Sequence, residues 1–231
     1  PGLGAMHVLV SAYIRMLSQK PGLNRFLSGL RIFARHNIEV IMAVKKELSI
    51  DAPETMIKFV FQPNATIYDV YNQFNEKINA FKNSKEEESA FDFVAALLGK
   101  IPRFFLKATV GFLKFLDYHG WLPKFLTDLS PFHGSLVITS MASLGIPPVF
   151  HHLYNFGNVP VFISFSAVRR ENQLQKDGTV ATTRYLDLNF STDERICDGH
   201  YYSVAVKDLK KYLNNPELLE TPPEKIIEDI A

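Results

Sequence analysis

The sequence predicts an α/β sandwich in which helices cover a mixed β-sheet. Segments with helical periodicity alternate along the chain with strand-like runs, and short turns join some of the strands. Hydrophobic residues make up 47% of the 231 residues and charged residues 21%, which supports a real core and rules out a disordered chain. Because the sequence has neither repeats nor a clear domain boundary, we expect one domain over residues 1–231.

Helical periodicity marks both ends of the chain and a segment near residue 70. The first helix ends before Pro21, and the second follows Thr66 and Asp69, a pair that resembles a capping box. A last helix is predicted over 201–213 and ends before Pro216. The apolar positions that define the three helices are Met6, Leu9, Val10, Tyr13 and Leu17; Ile67, Val70, Tyr71, Phe74, Ile78 and Phe81; and Val206, Leu209 and Leu213.

Strand-like runs fill the other apolar parts of the chain. Two strands are predicted around a turn at His36–Asn37, and a third in ETMIKFVFQP. The last third of the chain adds SLVITSM, VPVFISFSA and RYLDLNFST. In the last of these, Leu186, Leu188 and Phe190 alternate with polar residues, which predicts one strand with one buried face.

Composition excludes several classes of protein. With 25 basic and 24 acidic residues the net charge is +1, so no broad positive field favours nucleic acid. Cys197 is the single cysteine; it cannot form an intrachain disulfide, and we expect a small buried apolar residue rather than a nucleophile. Neither a signal-peptide pattern nor an uncharged run of 18 residues is present, so we expect a cytoplasmic protein without a transmembrane helix. We also expect residues upstream of Pro1, because the helical pattern begins almost at once.

Three motifs follow one another in a characteristic order. KPGLNRF (20–26) precedes RHNIEVIMAVKK, GSLVITSM (134–141) is a glycine-led strand, and LDLNFSTDERICDGHYYSVAVKDLKKYLNNPELL (186–219) joins a strand, a turn and a helix. Their order resembles the catalytic domain of the 2-oxo acid dehydrogenase acyltransferases, the E2 components, and the related chloramphenicol acetyltransferases. The segment 83–133 is longer than in typical members and does not align well.

This resemblance implies a two-layer sandwich that forms homotrimers or larger homo-oligomers with active sites at the subunit interfaces. Coenzyme A would enter each site from one side, and a small-molecule or carrier-bound acyl acceptor from the other. In the family, a histidine in the motif H-x-x-x-D-G removes the proton from a thiol or hydroxyl, which then adds to the acyl carbonyl. A Ser or Thr hydroxyl on a TFTIS-like strand stabilises the oxyanion, and the Asp organises the loop.

The family's functional positions fall on defined residues of this chain. Asp198 and Gly199 match the D-G pair, Thr139 occupies the hydroxyl position, and Glu194 stands where the family has its histidine. Glu194, Asp198 and Thr139 are therefore the predicted catalytic residues. The residues predicted to line the substrate site are Ser140, Gly199 and His200.

The glutamate at position 194 changes the energetics of the predicted reaction. An unperturbed glutamate has a pKa about four units below that of a thiol, against about two for histidine, so proton transfer to it is uphill by roughly 5–6 kcal/mol rather than roughly 3. Burial in an apolar pocket can raise the pKa of a carboxyl by up to ~3–5 units and remove this deficit. The alternation of Leu188 and Phe190 continues to Thr192 and Glu194. If the strand continued that far, Glu194 would leave from its buried face, a position compatible with a raised pKa. The alternative is an exposed loop or an ion pair with Arg195.

Asp198 and Thr139 also have plain structural interpretations. Asp-Gly pairs are common at turns and helix caps, and threonine is common in strands.

Other histidines could replace the missing base. His200 and the His151–His152 pair are the better alternates, while His119 and His133 flank the helical segment. Each of them also fits an ordinary surface or core position. Because no two show metal-ligand spacing backed by a cysteine or a nearby carboxylate, we expect no zinc site.

The segment 90–129 is very apolar and carries interspersed cations. Two helical pieces are predicted, at 90–99 and 102–117. Our first interpretation is a pair of packing helices at a subunit interface. The alternatives are an apolar acyl channel or a membrane-surface helix whose lysines reach back to the aqueous phase.

Two functions therefore compete. One is a coenzyme A-dependent acyltransferase acting on a thiol or hydroxyl acceptor; the other is a catalytically inactive trimeric scaffold or ligand-binding relative. A Glu194 buried in a cleft near Thr139 of a neighbouring subunit favours the enzyme, whereas an exposed Glu194, or one paired with Arg195, favours the scaffold. Neither the acceptor nor a lipoyl domain is visible in these 231 residues.

Overall fold

The computed structural model describes residues 2–45, 54–83 and 99–229. Five α-helices are described in these ranges: α1 (Ala5–Gln19), α2 (Ile67–Asn83), α3 (Arg103–Tyr118), α4 (Lys124–Leu129) and α5 (Gly199–Asn214). The strands are β1 (Arg25–Ser28), β2 (Arg31–Ala34), β3 (Ile38–Lys45), β4 (Glu54–Phe61), β5 (Leu136–Ser140), β6 (Val161–Phe165), β7 (Arg169–Leu174), β8 (Val180–Tyr185) and β9 (Leu188–Thr192). Short 3₁₀ turns lie at Pro21–Asn24, Ala142–Leu144 and Pro216–Leu219.

A five-stranded mixed sheet forms the centre of the fold. Its strand order is β4-β3-β5-β6-β9, in which β3, β5 and β6 run parallel and the two outer strands run antiparallel to their neighbours. The strands β3, β5 and β6 are rich in β-branched and aromatic residues, and most of their side chains are buried, as expected for strands covered on both faces.

Three amphipathic helices cover one face of this sheet. α1, α2 and α5 contribute Tyr13, Phe74 and Leu209 to a large apolar core, each no more than 1% exposed. Burial of such a side chain stabilises the fold by about 1.5–3 kcal/mol. On the other face a smaller cluster of Ile41, Val137, Val159 and Phe162 lies beneath the loop that joins β5 to β6. The predicted α/β sandwich with helices on a mixed sheet is therefore confirmed.

The local signals at the helices are also confirmed. The N–H of Thr66 donates to the Asp69 carboxylate at 2.8 Å, and the N–H of Asp69 donates to the Thr66 hydroxyl at 3.3 Å, which completes the capping box. The last helix begins two residues earlier and ends one residue later than predicted. The helix predicted over 102–117 is confirmed as α3. The helix predicted over 90–99 lies outside the described residues except at its last position.

The strand pairing differs from the sequence prediction at two places. RYLDLNFST is two strands and not one, because β8 leaves the central sheet to pair with β7 and the chain turns at Leu186–Asp187 before β9 begins. The two strands on either side of His36–Asn37 exist but do not pair with each other. β2 pairs with β1, which the sequence did not indicate, and β3 enters the central sheet.

None of the helices within the described ranges has the length and hydropathy needed to cross a bilayer.

Candidate active site

The segment that matches the family's H-x-x-x-D-G motif forms a tight turn between β9 and α5. Asp193 follows β9 and donates its N–H to the Pro160 carbonyl at 2.9 Å. Ile196, 1% exposed, anchors the middle of the turn in the core. Arg25 approaches from β1 and donates to the Ile196 carbonyl at 3.5 Å. The turn therefore has a defined conformation that positions Glu194 and Asp198.

Glu194 is exposed in this turn and is not part of a strand. Since β9 ends at Thr192, the predicted continuation of its alternation to Glu194 is wrong. Beside Glu194 is a small pocket of about 60 Å³, well below the roughly 300–1,000 Å³ of small-molecule sites. The apolar pocket that a glutamate base requires is thus not built around Glu194 by its own chain.

Arg195 pairs with Asp193 rather than with Glu194. Its Nε and Nη2 donate to the two Asp193 carboxylate oxygens at 2.8 and 2.6 Å, and its backbone N–H donates to Oδ1 at 3.1 Å. Burial alone would raise the pKa of Asp193, but these hydrogen bonds outweigh it and hold that pKa below its usual value. The Glu194–Arg195 ion pair considered from the sequence is therefore absent in this turn, and the exposed-loop interpretation describes the single chain.

Asp198 is the N-cap of α5. Its backbone is extended, and its Oδ1 accepts the N–H of Tyr201 at 2.8 Å. This bond satisfies one of the free donors of the first helical turn. Gly199 and His200 follow in the first turn and are exposed, which places all three predicted residues at the start of one helix.

Cys197 is half-buried and packs against the core. Burial raises the pKa of its thiol, and the nearby carboxylate of Asp198 raises it further. Since the thiolate is the nucleophilic form, this environment agrees with a structural rather than a catalytic cysteine.

Thr139 and Ser140 lie next to each other in β5 but face opposite sides of the sheet. Thr139 shares its side with Val137 and is paired with Ser164 on β6, which is paired in turn with Asn189 on β9. These three residues form a polar row across the sheet, on the face away from the helices. Within this row, Ser164 and Asn189 hold the β5–β6 loop by donating to the carbonyls of residues 149 and 148.

His151 lies on the same side of the sheet as Thr139. Its ring stacks on Phe162, with centroids 4.2 Å apart, and Phe162 is the register partner of Val137. Its Nε2 is buried and has no hydrogen-bond partner in the structure. Burial lowers the pKa of His151, and the neighbouring His152 lowers it further. Of the alternate bases named from the sequence, His151 is the one that the fold brings to the sheet face of Thr139.

The remaining histidines have other surroundings. His200 is exposed at the start of α5, and His119 is exposed and stacks on Trp121 with centroids 5.0 Å apart. His133 is buried, with one ring nitrogen beside Ser130 and the other beside Asp117. The sequence offered no signal for this last cluster, because Asp117 and His133 belong to different elements and are 16 positions apart.

Within one chain, Thr139 and the Glu194 turn lie at opposite ends of the sheet. Thr139 is level with Ser164 near the end of β6, whereas Asp193 is bonded to Pro160, just before β6 begins. At about 3.3 Å per residue along a strand and about 4.8 Å between neighbouring strands, the two positions are separated by roughly 15 Å. A single chain therefore does not bring the predicted base and the predicted oxyanion donor together.

No cluster of three or more metal-ligating side chains is found in the part of the chain that the structure describes.

The described architecture is the fold of the catalytic core of 2-oxo acid dehydrogenase acyltransferases. A probable dihydrolipoamide acetyltransferase from Listeria monocytogenes superposes with a TM-score of 0.60 and 15% identity, over 92% of this chain and 71% of that chain. A dihydrolipoamide acetyltransferase from Azotobacter vinelandii, in which the catalytic roles of a serine, a histidine and an asparagine have been investigated, superposes with a TM-score of 0.53 and 15% identity. The match covers 94% of this chain and 71% of that chain. The cubic core of the pyruvate dehydrogenase multienzyme complex superposes with a TM-score of 0.51 and 14% identity, over 94% of this chain and 71% of that chain.

At these identities the similarity establishes the fold alone. In sequence, no protein-family model and no curated protein matches this chain.

Proposed function

We propose that this protein is a coenzyme A-dependent acyltransferase that acts as a homotrimer, with each active site shared between two subunits. The acyl group would pass between coenzyme A and a thiol or hydroxyl acceptor. The fold of acetyltransferase cores supports the class of reaction. The observation that carries the proposal is the separation of Thr139 from the Glu194 turn, because a site shared between neighbouring chains takes its two halves from separate positions on each chain.

In the proposed reaction Glu194 takes the proton from the acceptor thiol or hydroxyl. The acceptor atom adds to the carbonyl carbon of the acyl-CoA thioester, and the Thr139 hydroxyl of the neighbouring chain donates to the developing oxyanion. The C–S bond then breaks, and coenzyme A leaves as a thiol after taking up the proton held by Glu194. Asp198 contributes by fixing the start of α5, and the exposed Gly199 and His200 line the substrate site. Ser140 is not assigned a role, because it faces the side of the sheet opposite to Thr139.

The environment of Glu194 decides between this proposal and an inactive relative. In the single chain Glu194 is exposed, as the inactive alternative expects. A residue that completes its site on a neighbouring subunit must show the same exposure in one chain, and burial at the interface would then supply the apolar surroundings that a glutamate base needs. His151 is the rival base, because it lies on the sheet face of Thr139 with an unpartnered Nε2.

The test measures acyl transfer from acetyl-CoA to a panel of thiols, with the acylated thiol quantified directly so that hydrolysis is not counted. We expect Glu194→Gln to lower the rate by about 100-fold or more, since a general base contributes 10²–10⁴-fold. Glu220→Gln, which alters an exposed glutamate outside the turn, should leave the rate unchanged.

Three outcomes would change the assignment. Equal rates in wild type and Glu194→Gln would remove Glu194 as the base. A loss confined to His151→Gln would move the role to His151. A folded wild-type trimer with no transfer to any acceptor would favour the inactive relative.

A further inference from the structure

A buried hydrogen-bonded chain joins Ser130, His133 and Asp117. His133 is 2% exposed; its Nδ1 lies 2.9 Å from the Ser130 hydroxyl and its Nε2 lies 3.0 Å from the Asp117 carboxylate. An ionised carboxylate only accepts hydrogen bonds, so it pairs with a proton on Nε2; in the neutral ring, Nδ1 is then the acceptor for the Ser130 hydroxyl. The order of donors is that of a Ser-His-Asp triad, with the two ring nitrogens exchanged.

Three separate elements hold this chain in place. Ser130 caps the end of α4, with its N–H bonded to the Leu126 carbonyl at 2.9 Å. Asp117 lies in the last turn of α3, and its backbone carbonyl accepts from the Ser28 hydroxyl at 2.8 Å. The segment between Ser130 and His133 is held by Asn158, whose N–H donates to the carbonyl of residue 132 at 2.9 Å. The three side chains are therefore positioned by the tertiary structure rather than by one local turn.

Ser130 and His133 also line an apolar cavity. The cavity has a volume of about 370 Å³, within the range of small-molecule sites. Its apolar walls include Val110, Leu113, Leu122, Leu126, Phe132 and Phe156. Among the described residues of the lining, Lys114 is the only Lys, Arg, Asp or Glu. Such a cavity fits the hydrocarbon chain of an aliphatic acid with its carboxyl carbon next to Ser130.

We propose that Ser130 is a second acyl-accepting nucleophile, and that the cavity is a hydrolytic site for esters of aliphatic acids. This proposal does not rest on the acyltransferase assignment, because the two sites use different residues. Ser130 precedes β5, whereas Thr139 lies near the C-terminal end of β5.

The proposed reaction has two balanced steps. The Ser130 oxygen adds to the ester carbonyl while its proton passes to His133 Nδ1, and the imidazolium is stabilised by Asp117. The bond to the alkoxide breaks, the alcohol leaves with the proton from His133, and Ser130 carries the acyl group. A water molecule then attacks the acyl carbonyl and gives its proton to His133, which returns it to Ser130 as the carboxylic acid leaves.

The test is covalent labelling of the full chain with an octyl fluorophosphonate, in which the serine oxygen displaces fluoride from phosphorus. Intact mass gives the stoichiometry and peptide mapping gives the position. We expect one equivalent on Ser130, no labelling of Ser130→Ala, and a rate at least about 100-fold lower in His133→Gln. Ser203→Ala removes an exposed hydroxyl on α5 and should label like the wild type.

A second variant tests the cavity without changing the three polar residues. Leu126→Trp should fill the cavity and slow both labelling and the hydrolysis of p-nitrophenyl octanoate, but should leave that of p-nitrophenyl acetate nearly unchanged. A folded wild-type protein that takes no label, or takes it at another serine, would overturn the proposal. Equal octanoate rates in wild type and Leu126→Trp would overturn the cavity as the acyl site.

Discussion

Thr139 and Glu194 lie at opposite ends of the central sheet in one chain, and strand spacing puts Thr139 roughly 15 Å from Asp193, where the Glu194 turn begins. Thr139 is level with Ser164 at the end of β6, and the Glu194 turn is bonded to Pro160 at its beginning. If the two residues act together, they must come from different chains.

This arrangement predicts complementation between two inactive variants. In a cyclic trimer that contains both Thr139→Ala and Glu194→Gln chains, one interface in three receives an intact residue from each side. An equal mixture refolded together should therefore recover about a quarter of wild-type transfer activity. The measurement is acyl transfer after mixing, with each variant refolded alone as the control. Absence of recovery in confirmed mixed trimers would contradict a shared site.

The Asp198 cap predicts separate effects of two substitutions on stability. Asp198→Ala removes the acceptor for the Tyr201 N–H and should lower the free energy of unfolding by about 1 kcal/mol. Asp198→Asn keeps a capping oxygen and should lower it by only about a few tenths of a kcal/mol. Urea unfolding followed by circular dichroism would measure both. Equal losses in the two variants would mean that the charge of Asp198, rather than its cap, stabilises the turn.

The backbone of Gly157 predicts a large loss of stability on adding one methyl group. Gly157 has φ of +80°, and a Cβ there would meet the Phe132 carbonyl oxygen at 2.0 Å. Gly157→Ala should therefore lower the free energy of unfolding by roughly 3 kcal/mol or more, because an alanine is strained in the left-handed conformation and its methyl group overpacks the site.

Gly178→Ala is the matched control, because Gly178 has φ of +82° with open space around it and should lose only about 1–2 kcal/mol of backbone strain. Similar losses in the two variants would show that the segment before β5 shifts easily. The position of His133 would then not be fixed by the contact at Gly157.

The buried Tyr13 and the half-buried Tyr202 predict a loss of stability at alkaline pH. Burial, and secondarily Cys197, raises the pKa of Tyr202 to about 12, and burial also raises the pKa of Tyr13. A raised folded pKa leaves stability intact below the unfolded value of about 10 and removes it as the pH rises towards 12. Tyr202→Phe should flatten the fall of the melting temperature between pH 9.5 and 11.5, and Tyr68→Phe, at an exposed position, should not. An unchanged slope in Tyr202→Phe would contradict the assignment.

The helices and most strands could be predicted from the sequence because their signals are local. The period of Ile67, Val70 and Phe74 reports the buried face of α2, and the Thr66–Asp69 pair reports its start. The strand β5 and the cap at Asp198 were likewise readable from a few neighbouring residues. The order of the motifs also indicated the fold that the superpositions later confirmed.

The candidate site could be predicted only in part. Asp198 was recognised as a helix cap or motif residue, and both interpretations fit its position. The sequence left the exposure of Glu194 open as one alternative, because the outcome depends on β9 ending at Thr192 and on Arg195 bonding Asp193. The stacking of His151 on Phe162 joins a loop to a strand and likewise has no counterpart in a sequence pattern.

The sequence by itself determined most of the helices and central strands, the buried faces of those helices and the residues at the motif positions, since apolar periodicity and capping act over one or two turns. Only the tertiary structure decided that β2 pairs with β1, that β8 leaves the central sheet, and that Thr139 and Glu194 lie far apart. It also brought Ser130, His133 and Asp117 together. These relationships depend on contacts between distant parts of the chain, which burial and hydrogen bonding select and which leave no periodic trace in the sequence.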